Sequence, residues 1–150
     1  MSDSVFVDTN VLVYAYDRSE PEKQRRALEI LDRLAITGAG VLSTQVLAEF
    51  FVAVTRRIPT PLSVVEAYER VKNYLQSWAV VELTGMIVLE AARGVRDHHF
   101  NFWDAQIWAT ARLNQIPAVF SEDFQVGAII EGVRFVNPFA DDFNIEDWTI

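Results

Sequence analysis

A chain of 150 residues without a single cysteine excludes disulfides and thiolate metal sites, so any bound metal must rest on oxygen or imidazole ligands. A net charge of −8 argues against a protein that grips nucleic acid by charge alone, but leaves room for an enzyme that brings a divalent cation to a phosphate. The length suits one domain, 1–150, whose core needs no covalent staples; no basic leader precedes an apolar stretch and no apolar run could cross a membrane, so a cytoplasmic protein is expected.

In chain order, Val5 to Asp8 predicts a buried strand rich in β-branched residues that ends in a carboxylate. A short apolar helix, Val11 to Tyr16, should follow. Ser19-Glu20-Pro21-Glu22 has the form of a capping box with Pro in the first turn. It opens a helix whose Ala27, Leu28, Leu31, Leu34 and Ala35 repeat every 3.6 residues, and Gly38 and Gly40 end it. Val41 to Ser43 is the second strand. Thr44 caps a third helix carrying Val46, Leu47, Phe50, Phe51 and Val54, with Arg56 and Arg57 in the last turn, where positive charge suits the helix dipole. Thr60-Pro61 opens a fourth, with Val64, Val65, Tyr68, Val71 and Leu75 on one side.

Trp78 to Leu83 reads as the third strand. Thr84 begins a fifth helix with Ile87, Val88, Ala91, Ala92 and Val95, and Asn101 caps a sixth from Phe102 to about Asn114, with Ile107, Trp108 and Ala111 inward. Pro117 blocks its continuation. Ala118 to Phe120 is the fourth strand, a helical turn runs from Asp123 to Gly127, and Val133 to Val136 is the fifth strand, ended by Asn137-Pro138. In the acidic tail, about 140–150, Asp141, Asp142, Glu146 and Asp147 face no nearby base in sequence, but Phe143, Ile145 and Trp148 offer groups to dock on the domain or on a partner; a frayed tail is the alternative. Short apolar strands alternating with helices predict an α/β fold. The expected form is a three-layer α/β/α sandwich around a parallel sheet of about five strands, for which doubly wound sheets often use the order 3-2-1-4-5.

Four acids stand out by position. Asp8 closes strand one, Glu49 lies near the buried face of helix three, Asp104 sits in the first turn of helix six, and Asp123 follows strand four. Each has a bland reading: Asp8 and Asp123 as helix N-caps, Asp104 as the far end of a capping box begun by Asn101, Glu49 as a solvated helix residue. Read together they gain meaning. In the order 3-2-1-4-5, strands one and four are neighbours, and ligands of open α/β sheets bind at the carboxyl ends of the strands. Carboxylates crowded there repel one another unless cations neutralise them, and all-oxygen ligation favours Mg²⁺ or Mn²⁺.

The motifs that carry these acids are Phe6-Val7-Asp8-Thr9-Asn10, Ser43 through Glu49-Phe50, Trp103-Asp104-Ala105, Leu113 through Phe120-Ser121-Glu122-Asp123 to Gly127, and Val136-Asn137-Pro138-Phe139. In order and spacing they resemble the PIN domain, close to the VapC-type toxins of toxin–antitoxin pairs, over residues 4 to 139. The resemblance implies an Mg²⁺- or Mn²⁺-dependent ribonuclease with Asp8, Glu49, Asp104 and Asp123 as the acidic, metal-holding quartet. Thr9 and Ser121 would orient the acids and Asn10 would support them. It also implies a homodimer, an RNA substrate and a cognate antitoxin protein. Glu122 beside Asp123 leaves the fourth position open between the two. Arg18, Arg25, Arg26, Arg56, Arg57, Arg93 and Arg96 are candidate phosphate contacts, or simply solvated surface arginines; His98 and His99 are expected to be solvated or locally hydrogen-bonded.

A phosphotransferase of the haloacid dehalogenase type would place a second Asp where Asn10 stands, a receiver domain would need paired acids near the N-terminus, and no glycine-rich phosphate loop is present. The remaining alternatives are a PIN nuclease of RNA processing that works without an antitoxin, and a catalytically inactive PIN-like binding module. The presence of all four acids speaks against the latter.

Overall fold

The computed structural model describes residues 4–124 and 127–148. Its elements are β1 (Val5–Val7), α1 (Thr9–Tyr14), α2 (Pro21–Thr37), β2 (Gly40–Ser43), α3 (Thr44–Arg56), α4 (Val64–Ser77), β3 (Ala79–Val81), α5 (Gly85–His98), α6 (Phe102–Leu113), β4 (Ala118–Phe120), β5 (Ile129–Ile130) and β6 (Val133–Val136). The sheet order is β3-β2-β1-β4-β6-β5. All neighbours are parallel except β5 and β6. The five expected strands are therefore present in the expected order, with β6 as the fifth. The addition is β5, a two-residue antiparallel edge strand. It turns back through Glu131 and Gly132, both at positive φ (49° and 85°), the backbone signature of a tight hairpin.

Parallel neighbours need crossovers, and right-handed crossovers fix which face each helix covers. The β1-to-β2 and β2-to-β3 connections carry α1 to α4. The return from β3 to β4 carries α5 and α6, which therefore cover the opposite face. The central strands between these layers are buried on both sides: Val5, Phe6 and Val7 of β1 and Val119 and Phe120 of β4 have essentially no exposed surface. Trp108 is the largest fully buried side chain and donates its indole N–H to the Ile130 carbonyl at 3.1 Å, which leaves no polar atom of the ring unpaired.

Several element ends differ from the sequence expectation, each for a local reason. Asp17 accepts hydrogen bonds from the Ser19 N–H (3.0 Å) and hydroxyl (2.6 Å), so Ser19 does not cap α2; Glu20 stands at that cap without a side-chain bond. Ser43 rather than Thr44 caps α3, and the Thr44 hydroxyl accepts from Leu83 N–H instead. Ser63 displaces Thr60-Pro61 at the start of α4 because Ser63 and Glu66 form a reciprocal capping box. Of the glycines expected to end α2, Gly38 does so at φ 72°. Gly40 is instead inside β2, pressed against Trp78 so closely that a Cβ would lie 2.1 Å from the ring. On α4 the inward stripe is Ala67, Val71 and Tyr74, with Tyr74 packed edge-on to Phe50 and Trp78; Val64, Val65, Tyr68 and Leu75 are exposed. Of the helical turn expected from Asp123 to Gly127, Gln125 and Val126 lie outside the described residues, and Asp123 and Phe124 form a bend.

The acidic tail docks. Ile145 is buried, and Phe143 and Trp148 each meet Phe120 edge-on with centroids 5.4 Å away. Arg26 donates to the Pro138 carbonyl at 2.7 Å, and Arg33 pairs with Glu146 at 2.6 Å, so that acid does face a base.

Candidate active site

The parallel pairing of β1 with β4 aligns Val7 with Phe120, and Asp8 N–H donates to the Phe120 carbonyl at 3.0 Å. The carboxyl ends of the two central strands thus deliver Asp8 and the Ser121-to-Asp123 segment to the same place. Asp8 is the N-cap of α1, accepting from Thr9 N–H at 2.7 Å through one oxygen, while its other oxygen accepts from the Ser121 hydroxyl at 2.8 Å. Only 6% of Asp8 is exposed. Burial pushes its carboxyl up to about 7; the bonds from Ser121 and Thr9 oppose the shift, and the charges of Asp123 and Glu49 add to it. The capping role and a place in an acidic site are both realised in one side chain.

Glu49 reaches the same place from α3. It accepts from the Thr9 hydroxyl at 2.8 Å and from Gln45 Nε2, one turn earlier on the helix, at 3.2 Å. Asp104 comes from the first turn of α6, on the other side of the sheet. Its N–H donates to Asn101 Oδ1 at 2.9 Å, and Asn101 Nδ2 donates to its carboxylate at 2.7 Å. Burial raises the Asp104 pKa, the Asn101 bond opposes this, and the charges of Asp123 and Glu49 add to the rise. Asp123 is exposed and accepts from Asn10 Nδ2 at 3.0 Å; the same amide donates to Ser121 Oγ at 3.1 Å. Thr9, Asn10 and Ser121 therefore tie Asp8, Glu49 and Asp123 into one hydrogen-bonded frame, while Asn101 holds Asp104 separately.

Asp8, Glu49, Asp104 and Asp123 all line one cleft of about 930 Å³. They are not drawn into a single ligand set: among the described residues, no three acidic or histidine side chains are gathered closely enough to hold a metal ion. Like charges without a counter-ion keep apart, and here each carboxylate is held by a separate donor. The donor chemistry is oxygen throughout, which suits Mg²⁺ or Mn²⁺. A cation would also relieve the penalty that burial imposes on the Asp8 charge.

Glu122 is engaged elsewhere. The Tyr14 hydroxyl and Lys23 Nζ, the latter at 2.9 Å, both donate to it, and it does not line the cleft, so Asp123 is the acid of that pair facing the other three. His98, at the end of α5, bonds to Glu131 at 2.6 Å, and His99 is the left-handed C-cap; neither lines the cleft. Of the seven candidate arginines only Arg57 lines it. Arg25, Arg93 and Arg96 are engaged by acids, and Arg26 by backbone carbonyls of the tail.

Among the cleft residues not singled out from the sequence as part of the site are Gln45, Trp103 and Asp17. Gln45 had a signal, since it stands four residues before Glu49 and shares its helix face. Trp103 is adjacent to Asp104 and largely exposed at the cleft wall. Asp17, a buried acid lining the same cleft, had no sequence signal.

Comparison with known proteins gives a PIN domain family model matching residues 5–129. No curated protein matches. Among solved structures, a toxin–antitoxin complex from Klebsiella pneumoniae superposes with a TM-score of 0.65 at 21% identity, over 90% of this chain and 98% of that one. The VapC20 toxin of Mycobacterium tuberculosis, described as cleaving the sarcin–ricin loop, gives 0.60 at 20% identity, over 85% and 98%. DNA-bound VapBC from Salmonella typhimurium gives 0.61 at 15% identity, over 90% and 97%. At these identities the likeness to solved structures carries the fold.

Proposed function

The chain belongs to the PIN domain family, and on that premise we propose that it is an Mg²⁺- or Mn²⁺-dependent ribonuclease, the toxin of a toxin–antitoxin pair. The observation that carries the proposal is the convergence of Asp8, Glu49, Asp104 and Asp123 from four separate segments on one cleft, without an ion pair to any of them among the described residues. Acids brought together without an ion pair leave negative charge that a bound cation would offset, and holding one would require the four carboxylates to draw closer than they stand here.

In this reading the four carboxylates would hold the ion. When bound, it supplies a hydroxide nucleophile by lowering the pKa of its water and stabilises charge on the phosphate. The protein's part is positioning. Ser121 and Thr9 fix both oxygens of Asp8. Thr9 also sets Glu49, and Asn10 links Asp123 to the Ser121 hydroxyl. The N-terminus of α6 points its positive end at Asp104 and at any phosphate beside it. No histidine takes part.

The toxin assignment draws support from the solved relatives, which include toxin–antitoxin assemblies. A homodimer is part of the proposal: Val64, Val65, Tyr68 and Leu75 of α4 and Met86 and Leu89 of α5 leave apolar surface to be covered. Light scattering on the purified protein tests that element. So is a cytoplasmic location; no helix among the described residues is long and apolar enough to cross a membrane. The decisive experiment expresses the chain with and without the product of the adjacent gene and maps cleaved RNA ends. Growth arrest and defined RNA cuts, relieved by the neighbour and absent from Asp8→Asn and Asp104→Asn, are expected. Cuts without any neighbour-dependent relief would move the protein to RNA processing; metal-independent cuts, or none, would overturn the proposal.

A further inference from the structure

Trp103 occupies a position that core packing does not explain. The run Ala105 to Ala111 of α6 is buried throughout, yet Trp103 on the same helix is 63% exposed. A large aromatic ring facing water is unusual unless something covers it. The ring is not loose: it sits in the first turn of a helix fixed by the Asn101 cap, and Phe102 meets it edge-on with centroids 5.4 Å apart. It lines the cleft and is the immediate neighbour of Asp104.

Two further features of the same cleft lack partners. Arg57 is exposed there and makes no ion pair with a described residue, whereas Arg25, Arg93 and Arg96 all do. Gln45 is only 8% exposed, and while its Nε2 donates to Glu49, its Oε1 is buried without a donor. A buried acceptor left unpaired is costly, so the cleft lacks a hydrogen-bond donor that an occupant would bring. A flat aromatic face, an unpaired cation and an acceptor awaiting a donor are the complement of a nucleotide: base, phosphate, and sugar hydroxyl or base amine. An apolar protein segment would cover Trp103 but leave Arg57 and Gln45 unanswered.

We infer that Trp103 is a stacking platform for an unpaired nucleobase of the substrate, next to the phosphate presented to the acids; this rests on the ribonuclease reading above. Trp103 is thus a positioning residue. It sets which phosphate faces Asp104 by gripping the adjoining base, and it requires that base to be out of a duplex.

The test uses the full chain carrying Asp8→Asn, so that RNA is bound and not cut, and a fluorescently labelled short single-stranded RNA of mixed sequence with Mg²⁺ present. Adding Trp103→Ala should weaken binding roughly 5- to 100-fold, the range expected for one base–aromatic stack, while Trp103→Phe retains most of it. The same oligonucleotide with abasic sites should bind all three proteins weakly and alike. In the otherwise unaltered protein, Trp103→Ala should raise KM with little change in kcat, as loss of ground-state binding does. Because the side chain is mostly exposed, its melting temperature should be unchanged.

Equal RNA binding by the Trp103→Ala protein, or tight binding of the abasic oligonucleotide, overturns the inference and leaves the ribonuclease reading standing. Loss of binding to the neighbouring gene's product with RNA binding intact would make Trp103 a protein-docking residue and overturn it as well. Absence of metal-dependent cleavage and of RNA binding in the parent protein would remove the ribonuclease reading itself.

Discussion

Helix α6 runs between two groups of acids that are treated in opposite ways. At its first turn Asp104 shares the cleft with Asp8, Glu49 and Asp123, and no arginine or lysine is bonded to any of the four among the described residues. At its last turn Arg112 joins a lattice in which Arg93 bonds Glu90, Asp97 and Glu131, Arg96 bonds Asp97, and His98 bonds Glu131. The carboxyls respond accordingly. In the lattice, Arg93 holds Glu90 below the ordinary carboxylate range, and Asp97 and Glu131 fall to about 2 through Arg96 and Arg93 respectively. In the cleft, burial drives Asp8 to about 7 and raises Asp104. The lattice is neutralised from within the chain. The four cleft acids have no ion-pair partner among the described residues, and the one arginine lining the cleft, Arg57, is not bonded to them.

The largest test of that contrast is Asp8→Asn. The substituted amide keeps an oxygen to cap α1, since Asn is as good an N-cap as Asp, so the fold should survive. RNA cleavage with Mg²⁺ should fall by more than about 100-fold, because a ligand to the ion is lost. Metal-free melting temperature should not fall, since a buried charge is removed. Retained cleavage would sink the assignment. The next effect in size is metal-induced stabilisation. At ten times its dissociation constant an ion adds about 1.4 kcal/mol, or a few degrees in Tm for a domain of this size. Thermal melts should show that rise in the parent and in Glu131→Gln, and not in Asp8→Asn. An equal rise in all three would place the ion outside the cleft.

The contrast also marks what the sequence could reveal. The strands and their parallel pairing follow from short apolar runs separated by helices, and the common doubly wound order 3-2-1-4-5 is enough to expect Asp8 and Asp123 at one mouth. Asp8 and Asp104 each invited a capping reading and a site reading: Asp8 caps α1 and also lines the cleft, whereas the Asp104 carboxylate lines the cleft and accepts from the Asn101 side chain rather than from its backbone N–H. Helix starts at Ser19 and Thr60 misled because capping is a competition: Asp17 captures the Ser19 hydroxyl, and Ser63 with Glu66 outdoes Thr60. Glu122 is drawn away from the cleft by Tyr14 and Lys23, more than ninety positions away in the chain, a contact no local pattern encodes. Trp103 had only its place beside Asp104, and Gln45 only its spacing from Glu49, to mark them as site residues. Their significance lies in what they fail to touch. The β5 strand is two residues long, too short for any periodicity, and its turn is gripped by Arg93 and His98 from another element.

The smallest predicted effect lies in the lattice. Glu131→Gln keeps the shape of the side chain but removes the charge shared by Arg93, Arg112 and His98. These groups are partly solvated, so the loss at neutral pH should be slight, about 2 °C in Tm, with RNA cleavage unchanged. Its pH dependence is the more telling quantity. The folded pKa of Glu131 lies below its ordinary value of 4.5, so its contribution to stability is fully present above that value and is lost as pH falls toward about 2. The difference in Tm between parent and variant should therefore be constant from pH 7 to about 5, shrink below that, and vanish near pH 2. A difference that persists at pH 2 would show that Glu131 acts by packing or by its positive-φ backbone rather than by charge, and the lattice would then no longer be the neutralised counterpart of the cleft.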